Sequence, residues 1–379
     1  MVTVRPFAAA DAEAVYRLRR LAFGGPREPD TSWVDEQPAA WRGLVVDGAG
    51  FLRVWNFHQF FAGVAVPCGG VASVTVAPHA RGQGVAGALF TAGLADMREN
   101  GQPISALYPA VPQLYRHYGW ESVGTIEYLT VPLHVLANLP RSDVALHAAT
   151  KADLDNLHAA YLRMAARLDG MLDRASPAFV LAEVLDLDVV TMAPGGYVSA
   201  ERNDSGPLIV HDLVADDADT ARALLRSIGS WASQLQEARI SLLDPAISDL
   251  TLPRAAEWAT SVHPWMLRVV DLPAAVAARG WPAVVHARPF SVDIEVVDPQ
   301  APWHVGRHRL AYDGERVTCE RGGNGDVVLD ARGLAAWFAG SASAAALRHA
   351  GLLTGDPDTA STLDALTGAP HPIRIGDAF

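Results

Sequence analysis

Lysine is almost missing: the 379 residues contain one, Lys151, and 30 Lys+Arg are outnumbered by 42 Asp+Glu. A chain with a pI near 5.5 lacks the basic stripe on which nucleic-acid binding rests, so that partner class is excluded and a cationic one, such as a polyamine, fits better. Cysteine is scarce too. Cys68 and Cys319 stand far apart and offer neither a disulfide framework nor a zinc spacing, so a reducing, cytoplasmic setting without a metal is expected. No apolar run reaches membrane-spanning length, and Met1 to Phe7 holds no basic segment leading to an apolar core, so neither export nor a membrane partner is expected. What is abundant is apolar bulk. Half of the residues are hydrophobic, enough to fill the two or three cores of about 100–150 residues each that this length suits.

One stretch concentrates the chemistry. Val74-Thr75-Val76 is a β-branched strand; Pro78 follows, then Arg81-Gly82-Gln83-Gly84-Val85-Ala86, then a helix with Phe90, Leu94 and Met97 at helical spacing. N–H groups at a helix start lack intrahelical partners and carry partial positive charge, so they hold a pyrophosphate with few side-chain cations. Gly82 and Gly84 remove the Cβ atoms that would keep phosphates away. The stretch predicts an acetyl-CoA site formed by Val74, Thr75, Val76, Arg81, Gly82, Gly84, Val85 and Ala86, with Arg81 as the phosphate cation. No Gly-Lys-Ser/Thr follows, which excludes a Walker loop, and the acidic ribose partner of a dinucleotide fingerprint is missing. The order Arg-x-x-Gly-x-Ala after a strand and a proline resembles the signature of GCN5-related N-acetyltransferases.

Along the chain three segments emerge. Residues 1–143 predict a β-α-α-β-β-β-α-β-α-β order, with a turn at Asp47-Gly48, a short helix around Tyr115 and a last strand from Ile126 to Leu133. Residues 144–282 repeat that order in style, Val144 to Asp153 matching Val4 to Asp11, but the turn after Val214 holds Asp216, Asp217 and Asp219 and no glycine. Carboxylates there repel a pyrophosphate, so this segment is expected to bind no cofactor. Residues 283–379 alternate as short strands, then give a helix N-capped by Asp330 and a helix of small residues, which predicts a small antiparallel sheet covered on one side.

Ala106-Leu107-Tyr108-Pro109, Leu114-Tyr115 through Gly119-Trp120, Trp265 to Ala275 and Asp298 to Arg307 together resemble the enhanced-intracellular-survival (Eis) family of N-acetyltransferases over essentially the whole chain. The resemblance implies an α/β (α+β) fold: an N-terminal GCN5-related domain (1–143), a degenerate central copy without the cofactor motif (144–282) and a sterol-carrier-protein-like domain (283–379). It implies a homo-hexamer that moves acetyl from acetyl-CoA to primary amines, aminoglycosides and lysine side chains among them. It also implies roles for two residues: Tyr115 as the acid that protonates the departing sulfur, and the terminal carboxylate of Phe379 as the base. Tyr118 and Tyr108 compete with Tyr115 for its role, and His117 and His79 are nearby alternatives as bases. The family's wide acidic amine pocket maps onto Glu28, Asp30, Trp33 and Asp377, while Ala378 stands where some relatives have an acid. A second reading is a binding protein that senses acetyl-CoA or holds a lipid in its last domain; a pure sensor needs neither Tyr115 nor Phe379.

Overall fold

The computed structural model describes residues 2–31, 34, 39–204, 206–249, 251, 252, 255, 258–282, 289–368 and 373–377. β1 (Arg5–Pro6) leads through a 3-10 turn into α1 (Ala12–Phe23). Asp11 closes that helix start, accepting from the Ala8 N–H at 2.8 Å and pairing with Arg5 at 2.7 Å. Gly24 and Gly25, at φ +80° and +115°, end the helix, and Pro26 and Pro29 cannot supply the N–H groups that a further helix needs. The second helix expected before the next strand falls where residues 32, 33 and 35–38 lie outside the described residues; Val34 between them is in a 3-10 turn, its N–H donating to the Thr31 carbonyl at 3.1 Å.

β2 (Trp41–Val46) and β3 (Gly50–Phe61) meet at Asp47-Gly48, as the sequence predicts, with Gly48 at φ +64°. β3 and β4 (Val64–Val76) meet at Ala62-Gly63, both at positive φ as a type I′ hairpin requires. α2 (Val85–Glu99) buries Val85, Leu89, Phe90, Leu94 and Met97 beneath this sheet. β5 (Ile104–Leu107), α3 (Pro112–His117) and β6 (Glu121–Pro132) complete the first unit, β6 starting well before Ile126.

After α4 (Leu133–Ala137) the layout repeats. β7 (His147–Ala148), its 3-10 turn and α5 (Leu154–Ala165) follow β1, its turn and α1 at one constant offset. Asp153 even repeats the bonds of Asp11, accepting from the Thr150 N–H at 2.8 Å and facing His147 at 3.1 Å. β8 (Val189–Ala193), β9 (Gly196–Arg202), β10 (Leu208–Ala215), α6 (Ala218–Gly229) and β11 (Glu237–Ser241) keep the order of the first unit, and α7 (Pro245–Ser248) and β12 (Thr260–Val269) close it.

The two units share one sheet of 12 strands, ordered β1-β2-β3-β4-β5-β12-β6-β11-β10-β9-β8-β7. Each unit has given its last strand to the other. β12 pairs with β5 of the first unit, β6 pairs with β11 of the second, and β6 and β12 pair with each other at the centre.

α8 (Leu272–Ala278) leads to a second sheet, built from β13 (Phe290–Val297), β14 (Gly306–Tyr312), β15 (Val317–Arg321), β16 (Val327–Asp330) and β17 (Leu353–Gly355). Its order, β15-β14-β13-β16-β17, corrects the antiparallel expectation, because β16 returns on the free side of β13 and runs parallel to it. Asp330 caps α9 (Ala331–Ala339), accepting from the Gly333 N–H at 2.6 Å; α10 (Ala344–His349) and α11 (Pro357–Thr367) follow. One apolar core runs from Phe57 and Phe61 through Trp265 to Trp337 and Phe338, so the last unit is packed onto the strands the other two exchange.

Candidate active site

β4 and β5 pair in parallel only from Cys68↔Ile104 to Gly70↔Ala106. Beyond Gly70, β4 runs on to Val76 while β5 ends, so its backbone N–H and C=O groups on that side face an opening instead of a strand. A bulge re-aims the same stretch. The register with β3 slips between Arg53↔Ala72 and Phe51↔Thr75, and Ser73 takes φ +53° to accommodate the extra residue. Val74 and Val76 stay half-buried, and Thr75 turns inward.

The chain then passes through Arg81 and the two glycines into α2. Gly82 and Gly84 sit at φ +72° and +80°, and a Cβ built on either meets nothing within 4 Å, so their task is left-handed backbone in front of open space. Gly84 is the N-cap residue, no acid occupies the first turn of α2, and the N–H groups of Val85 and Ala86 point out of the helix start. Arg81 is exposed, and no carboxylate among the described residues pairs with it. An unpartnered strand edge leading to an uncapped, glycine-opened helix start fits a pantetheine arm and its pyrophosphate. Arg81→Ala is expected to raise KM for acetyl-CoA by about tenfold, the worth of one charged hydrogen bond, with kcat little changed in steady-state assays.

The second unit shows the contrast. At the start of α6 the Asp217 carboxylate accepts from the Thr220 N–H at 2.8 Å, a bond that holds its carboxyl below the usual range, and Asp216 pairs with Arg163 at 2.8 Å. The protein's own acids occupy the helix start that the first unit leaves open.

Tyr115, on α3, is buried with its ring edge-on to Phe90 at 5.6 Å, and burial pushes its hydroxyl above the ordinary value near 10. No described residue hydrogen-bonds that hydroxyl. Its two rivals are otherwise placed. Tyr118 packs on Gly87 of α2, where a Cβ would stand 2.7 Å from its hydroxyl, and Tyr108 donates to the backbone carbonyl of Asp377.

Residues 373–377 bring the tail back to this sheet. Thr125 N–H donates to the Ile373 carbonyl and Ile375 N–H to the Thr125 carbonyl, both at 3.1 Å, while Arg374 pairs with Glu127 at 3.1 Å. Phe379, Ala378 and Trp33 lie outside the described residues.

Residues 3–123 match the acetyltransferase (GNAT) domain and residues 272–374 the sterol carrier protein domain. An uncharacterised N-acetyltransferase of Streptomyces avermitilis is 32% identical over 87% of this chain and 88% of its own. N-acetyltransferase Eis of Mycobacterium tuberculosis is 27% identical over 94% of both. This chain belongs to the Eis family of N-acetyltransferases. A GCN5-related N-acetyltransferase of Kribbella flavida superposes with a TM-score of 0.86 at 31% identity, covering 100% of this chain and 98% of its own, and Eis1 of Mycobacterium abscessus shares the fold with a TM-score of 0.77 at 23% identity and full coverage of both.

In this Eis-family chain a cavity of about 470 Å³ opens between α5, β9, β10 and the segment 174–187, with Trp55 of the first unit in its wall. Tyr161 and Phe179 add aromatic faces, and Glu183, Glu201 and Asp212 add carboxylates against the single guanidinium of Arg174. None of these was expected from sequence, since they stand singly and far apart along the chain. Of the residues that were, Asp30 and Glu28 are exposed, and neither lines the cavity. Asp377 was expected to meet an amine; instead its carboxylate takes the Arg174 guanidinium at 2.7 Å and the Tyr161 hydroxyl at 3.0 Å. Among the described residues no group of three or more His, Cys, Asp or Glu is placed to hold a metal ion, and no helix is long and apolar enough to cross a membrane.

Proposed function

We propose that this chain acetylates primary amines carried by small polycations or by lysine side chains, by direct attack in a ternary complex. The observation that carries the proposal is the β4 edge, freed beyond Gly70 and continuous with the open helix start at Gly84. Bound there, acetyl-CoA supplies a thioester carbonyl activated toward an amine. The backbone of Val74 to Val76 orients the acyl arm, and Arg81 with the N–H groups of Val85 and Ala86 holds the phosphates. Tyr115, kept protonated by burial, holds the proton the departing sulfur needs. The Phe379 carboxylate, ionised at neutral pH, takes a proton from the attacking ammonium directly or through water. Cationic acceptors are supported by the cavity's aromatic and acidic wall.

Thiol release from acetyl-CoA, followed over a panel of polyamines, aminoglycosides and lysine peptides, tests the proposal. Turnover is expected with multiply charged amines and not with neutral alcohols. Absence of release with every primary amine, together with a lipid retained in native mass spectrometry, would favour the sensor or carrier reading instead. On the family resemblance the assembly is a homo-hexamer, with Leu21 and Phe23, 64% and 61% exposed at the end of α1, as apolar surface for it to cover. Sedimentation equilibrium of the full chain is expected to give six subunits.

A further inference from the structure

The charges of the cavity beside α5 are divided between its rim and its interior. Glu183 and Glu201 are exposed, and Glu201 stands 3.4 Å from Nε2 of His211. Asp212 is buried, but its carboxylate already accepts from Nη1 and Nη2 of Arg174 at 2.7 and 2.8 Å and from the Tyr197 hydroxyl at 2.9 Å, while Arg174 also pairs with Asp377. The aromatic faces are committed too. The Arg174 guanidinium lies 3.9 Å from the centre of the Tyr161 ring, and that of Arg53 lies 4.9 Å from the Trp55 ring. An ammonium carried into this interior meets no unmatched carboxylate on its wall and is repelled by the guanidiniums, so a polycation is served at the rim only.

What the interior offers is apolar surface. Leu157, Phe179, Leu181, Val184 and Leu187 line it, and Val180, 40% exposed, adds an uncovered apolar side chain at the mouth. One polar atom stands apart: Nε2 of His158, three residues before Tyr161 on α5, is buried and has no hydrogen-bond partner among the described residues. A buried ring nitrogen of this kind costs free energy until a ligand or a water reaches it. The cavity also adjoins the acyl groove, because Trp55 in its wall pairs across β3 and β4 with Gly70, the last residue of β4 that β5 covers. Its volume of about 470 Å³ is that of a small-molecule site.

We propose that this cavity receives the ring of an arylalkylamine: the ring packs on Phe179 and the leucines of the wall, a ring hydroxyl meets Nε2 of His158, and the primary amine passes Trp55 toward the thioester at the β4 edge. The nitrogen forms the new C–N bond as the C–S bond breaks. Of the two protons the ammonium sheds, one ends on the CoA sulfur and the other in solvent. The proposal rests on the acetyl-transfer reading above and adds to it an acceptor class that needs a single positive charge.

The test uses the full chain and two readouts, affinity by titration calorimetry and kcat/KM by thiol release, with ethylamine, phenethylamine and tyramine as probes. Phenethylamine is expected to exceed ethylamine by about 10–100-fold in both, the worth of one buried ring, and tyramine to exceed phenethylamine several-fold. Phe179→Ala is expected to lower phenethylamine affinity about tenfold and Val180→Ser, at an exposed position, about threefold, with the thermal midpoint reporting that each variant is folded. His158→Leu is expected to bring tyramine and phenethylamine level; a preference for tyramine that survives it removes His158 from the site. Equal affinity for phenethylamine and ethylamine overturns the proposal, whatever the turnover. Ring-dependent binding without thiol release from any primary amine upholds the ligand of the cavity and overturns the acetyl-transfer reading instead.

Discussion

Tyr115→Phe is expected to lower kcat by about 10²-fold or more and to leave KM for acetyl-CoA within about threefold. The substitution removes one oxygen and keeps the ring. The contact with Phe90 at 5.6 Å and the burial of α3 beneath it survive, so lost turnover is not lost folding. On the proposed reading acetyl-CoA is held through the β4 backbone and the start of α2, so the substitution leaves those contacts in place. Burial raises the hydroxyl above its ordinary value near 10, so the wild type is expected to hold kcat on the alkaline side until beyond pH 10 and the variant to lose that limb altogether. A variant with full kcat would remove Tyr115 from the mechanism and return Tyr118 to consideration.

The second large effect lies under the same helix. Arg268 on β12 and Asp298 after β13 are both fully buried; Nη2 of Arg268 donates to the carboxylate at 2.9 and 2.8 Å, and His304 adds a contact at 2.9 Å. Nε and Nη1 of Arg268 find no hydrogen-bond partner among the described residues. Nη1 instead packs on Gly119, where any Cβ would overlap it, and the guanidinium faces the Trp120 ring at 5.4 Å. Trp120 N–H donates to the Tyr115 carbonyl at 3.1 Å, so the ion pair supports the turn that ends α3. Asp298→Ala strands the buried guanidinium and is expected to cost about 3–5 kcal/mol, read as a lower urea midpoint, whereas Arg268→Met with Asp298→Leu recovers much of it. If Asp298→Ala left the midpoint in place, the pair would contribute nothing to the joint.

Acid should act on the same joint. Burial pushes the Asp298 carboxyl up, but the His304 hydrogen bond and the Arg268 charge outweigh it and hold it below the usual range. A carboxyl depressed on folding stabilises the native state above its unfolded value near 3.9 and loses that contribution as pH falls through the folded one. Stability is therefore expected to decline below about pH 4, and less steeply in the apolar double variant, as followed by urea midpoints across pH.

Features written in consecutive residues were legible from sequence. The glycine turn at 82 and 84, the hairpin at Asp47-Gly48 and the cap at Asp330 each follow from local backbone chemistry, and the structure shows them in place. The repeat was legible for the same reason, because Asp11 and Asp153 close their helix starts in the same way. The end of α1 was set by its neighbours, two left-handed glycines and two prolines. Partner choice was not legible. Nothing in β6 or β12 distinguishes a strand that stays in its unit from one that leaves it, since both satisfy the same backbone bonds. The Arg174 cluster draws on residues 108, 161, 174, 212 and 377, which no spacing rule connects.

The exchanged strands bear on how the chain is made. When Leu107 leaves the ribosome, the edge of β5 has no partner, and the strand that will cover it, ending at Val269, is still to be synthesised. For that interval the nascent acetyltransferase unit carries a bare edge, open to pairing with the wrong strand or another chain. Expressing residues 1–143 alone makes that interval permanent. Such a fragment is expected to aggregate, and co-expression with the remainder of the chain, which restores β12, to keep it in solution.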